Sequence, residues 1–241
     1  MTDQHSVQPS LIDGQRRSIV WPIASVMLAI VVVLASAGAV MALRGDDPGG
    51  DSVEAGFLRD MVTHHGQAVE MSLIVYRRTP SEDMVTMTYD MATTQQSQIG
   101  MMIATLDLWD LSQTGSEPAM SWMGHPTTGL MPGMAASEQV ESLRTLPPDQ
   151  ADVLLLQVMI VHHRAGVDMA NALLERSDND DARRLAVAFS RSQETEIANM
   201  NAMLVDRGQA PINGSSVPAM SGMDGMDTTP AVTPGHSGHG G

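Results

Sequence analysis

The feature that most constrains the fold is a repeat in which matching residues lie 98 positions apart. The segment from Met61 to Met71 contains a double histidine, and it returns as the segment from Met159 to Met169. A glutamine-rich segment at 95–102 returns in the same way at 193–200. Because the spacing within the two copies is the same, the repeated unit is a whole supersecondary element. The simplest interpretation is a duplicated helical hairpin.

Apolar residues recur at helical spacing around both motifs, and no strand-like alternation rises above this pattern. A connection rich in Gly, Pro, Thr and Met joins the two hairpins at 112–136. Two hairpins and one long crossover predict an all-α, ferritin-like four-helix bundle. The predicted helices are four long ones at 52–78, 82–111, 147–176 and 179–207, with a short one at 137–143.

A run of 25 uncharged residues at 19–43 precedes this bundle. At about 1.5 Å per residue it is long enough to cross a hydrocarbon core of about 30 Å. Arg16 and Arg17 precede the run and several aspartates follow it, so the positive-inside rule predicts a cytoplasmic amino end. The bundle is then extracytoplasmic. Small residues at 35–39 also fit a signal-peptidase site, and cleavage there predicts a secreted protein.

The sequence divides into five segments. We expect a cytoplasmic segment at 1–18, a transmembrane helix at 19–43, a linker at 44–50, the bundle domain at 51–208 and a disordered tail at 209–241. Within the bundle, the first repeat covers 51–111, the Met-rich crossover 112–147 and the second repeat 148–208.

Composition excludes several classes of site. Acidic residues outnumber basic ones by 28 to 13, and a net charge of −15 repels nucleic acid and attracts cations. The absence of cysteine excludes disulfides, zinc ribbons and iron–sulfur clusters. Methionine occurs 21 times beside only two Phe and two Tyr, so flexible core filler is one interpretation of these side chains.

The duplicated motif offers imidazoles and thioethers together. On a helix, Met61, His64 and Met71 lie on one stripe around Ala68, with His65 beside it. Neutral histidine is the commonest metal ligand, and thioether sulfur is soft and suits Cu(I). The combination predicts a copper site, with silver as a chemical mimic. The two copies together supply eight candidate ligands: Met61, His64, His65, Met71, Met159, His162, His163 and Met169.

A second interpretation needs no metal. The histidines could be buried partners of polar side chains on the neighbouring helices, namely Gln95, Gln98, Gln193 and Glu196. Adjacent histidines differ by 100° on a helix, so the sequence leaves open which one of each pair faces inward. Glu70 and Asp168 fall about half a turn away from the stripe, which favours solvation or pairing over metal ligation.

Further methionines and histidines are weaker metal candidates. Those in the crossover and tail are expected to be solvent-exposed collectors of Cu(I), and Trp122 could add a cation–π contact. Compositional drift in a low-complexity tail is the alternative. The weaker candidates are Met91, Met102, Met120, Met123, His125, Met131, Met134, Met200, Met203, Met220, Met223, Met226, His236 and His239.

Residues 57–71 resemble the signature of the bacterial family DUF305, and 158–170 resemble a second copy. The pattern from Gln193 to Met200 matches the family's next helix, although Gln98 replaces the glutamate in the first copy. The resemblance implies a ferritin-like bundle, exported or membrane-anchored, with some relatives linked to copper and silver binding or tolerance. It also implies that the eight ligands named above are the matched metal-site candidates.

These observations predict an extracytoplasmic Cu(I)-binding protein, not an enzyme, that sequesters the ion or hands it to a copper-handling partner protein. One alternative is a membrane-anchored sensor or interaction module whose histidines respond to pH. A di-iron oxidase is the enzymatic alternative, but its Glu-x-x-His motif is missing from the sequence. The oligomeric state is left open.

Overall fold

The computed structural model describes residues 47–216. The predicted transmembrane helix at 19–43 and the tail candidates Met220, Met223, Met226, His236 and His239 lie outside the described residues. The helices belong to a compact unit that begins at Pro48. They are α1 (Val53–Tyr76), α2 (Glu82–Leu108), α3 (Ser137–Thr145), α4 (Pro148–Arg176) and α5 (Asp180–Asp206). A single 3₁₀ turn, Ser121–Met123, interrupts the crossover, and residues 47–216 contain no strand. The prediction of an all-helical bundle is confirmed.

The helix ends follow local chemistry. Ser52 caps α1 by accepting a hydrogen bond from the Ala55 amide at 3.1 Å, which satisfies one of the free amides at a helix start. Asn179 caps α5 in the same way, from the amides of Asp181 and Ala182. Pro148 opens α4, where a missing amide hydrogen costs nothing. Gly208, with φ of 72°, follows the end of α5 in the left-handed conformation that glycine tolerates best.

The two repeats have the same internal lengths in the structure. α2 and α5 each contain 27 residues, and each begins and ends 98 positions from its counterpart. Each hairpin packs its two helices closely together, α1 against α2 and α4 against α5. The hairpins meet mainly through α1 and α4, whereas α2 and α5 approach each other only locally. The first helix of each hairpin is therefore the inner one.

α1 and α4 run antiparallel and are related by an approximate two-fold axis. At one end of their interface the Thr79 hydroxyl donates to the Asp152 carboxylate at 2.8 Å. At the other end the Ser177 hydroxyl donates to the Glu54 carboxylate. Thr79 and Ser177 are equivalent in the repeat, as are Glu54 and Asp152, so these are two copies of one interaction. The duplication in sequence thus appears as internal symmetry.

The core consists of two apolar clusters, one toward each end of the α1–α4 interface. α4 is apolar enough to cross a membrane by composition, with a mean hydropathy of 1.2 over its best window. However, 78% of that window is buried inside the structure, which identifies α4 as the core helix of the bundle. The two-fold axis passes between the two clusters, where the duplicated histidines lie.

Candidate metal centre

His64 from α1 and His162 from α4 stack face to face on the two-fold axis. Their ring centroids are 3.7 Å apart and their planes differ by 29°. Both side chains are buried, with exposures of 0% and 1%. The structure thus settles which histidine of each pair faces the opposite repeat: it is the first one. The predicted motif residues meet because antiparallel α1 and α4 cross at equivalent positions.

None of the four ring nitrogens in this stack has a hydrogen-bond partner. The backbone carbonyl of Pro132 lies near the His64 ring, and the backbone carbonyl of His64 lies near the His162 ring. Neither contact has the geometry of a hydrogen bond. Burial lowers the pKa of His64 to about 3, helped by the nearby rings of His65 and His163. The pKa of His162 is also lowered, first by burial and then by the neighbouring histidines. Both rings are therefore neutral near pH 7 and present free lone pairs.

The Nε2 atoms of His65 and His163 instead contact the second helix of their own hairpin, and the His65 ring also packs against Phe189 of the second repeat at 5.3 Å. The Nε2 atom of His65 lies 2.8 Å from the Gln98 side-chain oxygen, and that of His163 lies 2.5 Å from a Glu196 oxygen. Burial lowers the pKa of His65 to about 3 against the opposing effect of the Gln98 hydrogen bond. The metal-free interpretation of the sequence correctly identified these two partnerships. It was wrong for His64 and His162, which are buried but have no hydrogen-bond partner.

The motif methionines are all buried, but the structure distributes them between the two core clusters. Met61 and Met169 belong to one cluster, and Met71 and Met159 to the other. Each cluster therefore contains one motif methionine from each repeat. Met61 and Met159 precede the stacked histidines by three residues, a spacing that puts side chains side by side on a helix. The buried helical methionines Met91, Met102 and Met200 extend the same clusters.

Two side chains of α1, Asp60 and Gln67, hold the crossover against the bundle through hydrogen bonds, and we call these contacts the α1 straps. The carboxylate of Asp60 accepts hydrogen bonds from the Met120 amide at 2.7 Å and the Trp122 indole at 2.8 Å. Two helical turns further along α1, the Gln67 side-chain amide exchanges two hydrogen bonds with the Ala135 backbone, at 2.8 and 2.9 Å. Between these straps the chain passes beside the stacked histidines. Gly133, with φ of 76°, lies so close to α4 that a Cβ there would be 2.9 Å from the Val161 carbonyl and 3.2 Å from the His162 Cα.

The crossover methionines are less exposed than the sequence analysis predicted. Met120 and Met131 are core residues, exposed by only 3% and 4%. Met123 and Met134 are partly buried against the same cluster. The prediction that this segment carries solvent-exposed collectors is therefore wrong for these residues, because the α1 straps fold it into the core. The ring of Trp122 packs edge-on against Phe57 at 5.7 Å. His125 is exposed, and Met203 is partly buried at the other cluster.

The small residues at the centre of each stripe allow close helix approach. A Cβ at Gly166 would collide with the side-chain amide of Gln193 from α5. Gln193 is buried, and neither polar atom of its amide has a hydrogen-bond partner. In the first repeat the equivalent Gln95 is also buried and leaves its oxygen unpartnered. The space beside Gly166 is thus filled by an amide from the neighbouring helix.

The donor set fits a soft ion better than a hard one. Residues 47–216 contain no group of three or more His, Asp or Glu side chains placed to hold a metal. Glu70 pairs with Arg144 at 2.6 Å on the surface, away from the histidines, as its position on α1 predicted. The core instead contains two unpartnered imidazoles, and the motif methionines lie in the two apolar clusters. Imidazole with thioether is a ligand combination that Cu(I) accepts and that Ca²⁺ or Mg²⁺ does not.

Several residues around the centre carried no recognisable signal in the sequence. Gln67 and Asp60 were not singled out, although they strap the crossover to α1. The Pro-Gly step at 132–133 is the one local cue, since it marks a tight turn between two methionines. Contacts from a long loop to a helix depend on tertiary structure, so spacing alone could not have located them.

Comparison with known proteins identifies relatives of the whole bundle. The model of the family described as "Domain of unknown function (DUF305)" matches residues 54–204. A crystal structure of a DUF305 protein from Streptomyces coelicolor is 46% identical, with a TM-score of 0.64, and the match covers 69% of this chain and all of that one. A DUF305 fragment from Deinococcus radiodurans is 27% identical, with a TM-score of 0.56, over 66% of this chain and 99% of that one.

CopM in its Cu(I)-bound form is 19% identical, with a TM-score of 0.48, over 65% of this chain and 97% of CopM. Among curated proteins, none matches the chain.

Proposed function

The chain belongs to the DUF305 family, and from that premise and its buried histidine pair we propose that it binds Cu(I), or the chemically similar Ag(I), between its two repeats. The ion is cargo that the protein sequesters or hands on. The proposed ligands are His64 and His162, with thioethers from the methionines that flank them, first Met61 and Met159.

The observation that carries this proposal is the absence of hydrogen bonds at the His64–His162 stack. A buried polar atom without a partner costs a protein about 1–3 kcal/mol. Each neutral imidazole has one N–H and one lone pair, so the two rings place four such atoms in the core. Local features that oppose stability are characteristic of functional sites. A soft cation would use the lone pairs and offset part of this cost.

Ion binding requires the two rings to move. An imidazole nitrogen binds a metal along its lone pair, in the plane of the ring. Two rings stacked at 3.7 Å and 29° do not direct lone pairs at one common point. We therefore expect the rings to rotate out of the stack when an ion binds. Extended X-ray absorption spectra of the copper-loaded protein would report the numbers of nitrogen and sulfur ligands.

We further propose that this binding takes place outside the cytoplasm. The uncharged run at 19–43, preceded by two arginines, would anchor the chain in the cell membrane, or release it if cleaved. Methionines of the tail, Met220, Met223 and Met226, would collect ions for the bundle, and a copper-handling partner protein would receive them. A net charge of −15 favours cations and opposes nucleic acid as a ligand.

We propose a binding role and not catalysis, within a ferritin-like bundle. A carboxylate-bridged di-iron centre needs glutamates from all four helices. In the part of the chain that the structure describes, the buried histidines contact one carboxylate, that of Glu196. An iron-dependent absorption band in the purified protein would contradict this part of the proposal.

The decisive experiment is an anaerobic titration of the full-length protein, purified in a mild detergent, with Cu(I) against a competing chelator. Changing both His64 and His162 to Ala should weaken binding at least ten-fold, because it removes both imidazole ligands. His125→Ala is the matched control, since that histidine is exposed in the crossover. Unchanged affinity of the double variant relative to the natural protein would contradict the proposal that His64 and His162 form the site.

A further inference from the structure

The second histidine of each motif is held in one orientation by a side chain of the neighbouring helix. His65 and His163 are both fully buried. Their Nε2 atoms are engaged by Gln98 and Glu196, at 2.8 and 2.5 Å. Their Nδ1 atoms have no hydrogen-bond partner. Each ring therefore has one occupied and one free nitrogen.

These contacts fix the position of the ring proton. A carboxylate oxygen only accepts hydrogen bonds, so the Nε2 of His163 must carry a proton that it donates to Glu196. A second proton on the buried Nδ1 would be a donor without an acceptor, which is unfavourable. The oxygen of Gln98 faces the Nε2 of His65 in the same way. Both rings are thus set in the tautomer whose lone pair lies on Nδ1.

We propose that Gln98 and Glu196 are positioning residues that present the Nδ1 lone pairs of His65 and His163 as two further, non-equivalent metal ligands. The proposal rests on the Cu(I)-binding function for its second half. Its first half, the fixed tautomers, holds for the protein without metal. Histidine ligands in metal sites commonly donate their other ring N–H to a carboxylate or carbonyl, which orients the ring and raises its basicity.

The two repeats differ in the residue that contacts the second histidine. Glu196 carries a charge and is itself held by the Ser192 hydroxyl at 3.3 Å, whereas Gln98 is a neutral amide. A hydrogen bond to a carboxylate is stronger than one to an amide and shifts more electron density toward Nδ1. The Nδ1 lone pair of His163 is therefore the stronger electron-pair donor to a metal ion.

The tautomers can be read by NMR in the full-length protein labelled with ¹⁵N in histidine. His65 and His163 should show a protonated Nε2 and an unprotonated Nδ1. Glu196→Gln keeps an acceptor and should preserve the pattern at His163, whereas Glu196→Leu should abolish it. A protonated Nδ1 at His163 in the natural protein would overturn the proposal whatever the protein binds.

Copper affinity tests the asymmetry through a reciprocal exchange. Glu196→Gln makes the second repeat resemble the first, and Cu(I) binding should weaken about ten-fold, within the range that such indirect contacts control. Gln98→Glu should strengthen Cu(I) binding. Its fold would be checked by circular dichroism, since it buries a new carboxylate. If the natural protein binds Cu(I) and both variants bind it with the same affinity, the asymmetry is refuted. If the natural protein binds no Cu(I), the proposed function is refuted, and the NMR result alone judges the tautomers.

Discussion

His64 and His162 place two polar rings in the core of the bundle. Their four ring nitrogens lack partners, and the neighbouring Gln193 adds two more orphaned atoms. In a protein selected only for stability such positions would be apolar. The cost is concentrated at the two positions related by the two-fold axis, so it can be measured by replacing one matched pair.

Replacing both His64 and His162 by Leu should stabilise the metal-free protein. Leucine has a similar volume and leaves no polar atom unpaired, and exchanging both partners for apolar groups removes the desolvation penalty. We expect unfolding in urea to require about 2 kcal/mol more, with Cu(I) affinity lost. His125→Leu, at an exposed position, should change stability by less than about 0.5 kcal/mol. Destabilisation of the double variant would mean that the stack is a structural contact.

Acid should weaken the metal-free fold more steeply than is usual for a helical bundle. The folded-state pKa values of His64 and His65 are lowered to about 3, and that of His162 is lowered too. The unfolded chain, with ordinary values near 6.5, therefore binds more protons below that pH. The stability is fully present above pH 6.5 and is lost as pH falls toward 3, by up to about 1.4 kcal/mol per pH unit for each histidine.

Urea unfolding at pH 7.5, 6.5 and 5.5 would measure this slope. Raised pKa values at Asp60 and Asp152, which arise from burial, act with the opposite sign but at lower pH, near the carboxylate range. In the variant with leucine at 64 and 162, only His65 of these three histidines should still contribute to the pH dependence of stability. An equal slope in both proteins would show that the buried stack is not the source of the acid sensitivity.

At the scale of elements, the helices were predictable and the crossover was not. Periodicity and caps located each helix, with α2 ending at Leu108 instead of residue 111. The orientation of each double histidine was not predictable, since adjacent residues differ by 100° and only the crossing of α1 and α4 decides between them. The crossover methionines were misplaced because Asp60 and Gln67 hydrogen-bond to crossover residues that lie 60 to 68 positions away in sequence.

The straps from α1 should control access to the stacked histidines. Gln67→Ala removes two hydrogen bonds to Ala135, worth together about 2 kcal/mol, so local opening of the crossover should rise at least ten-fold. Hydrogen exchange of the amides at 131–136 would report this opening, and stopped-flow mixing with Cu(I) should show faster binding. Thr63→Ala is the control, because its exposed hydroxyl bonds only the Arg59 carbonyl within α1. Accelerated exchange with an unchanged binding rate would place the route for ions elsewhere.

At the scale of the molecule, duplication has become two-fold symmetry. The Thr79–Asp152 and Ser177–Glu54 contacts repeat one hydrogen bond at both ends of the α1–α4 interface. The stacked histidines lie midway between them. Each repeat thus contains both halves of the same contact, a hydroxyl after its first helix and an acidic residue near the start of that helix. The sequence revealed the duplication, but not that equivalent residues would meet.

This self-complementarity predicts that the second repeat alone, residues 148–216, forms a symmetric dimer. A two-fold pairing of α4 with its copy would stack His162 on His162 and hydrogen-bond Ser177 to Asp152 twice, as an isologous interface requires. In the full protein α4 is mostly buried, so the isolated fragment exposes an apolar face of this helix. The dimer would bury that face again.

Sedimentation equilibrium of this fragment should give a dimer with a helical circular dichroism spectrum. Introducing His162→Glu would place two carboxylates together at the axis and should dissociate the dimer into largely unfolded chains, because like charges that meet in a buried interface are strongly unfavourable. Asp168→Glu, an exposed change on the same helix, should leave the dimer intact. A folded monomer would show that the second hairpin is stable by itself and would contradict the predicted dimer.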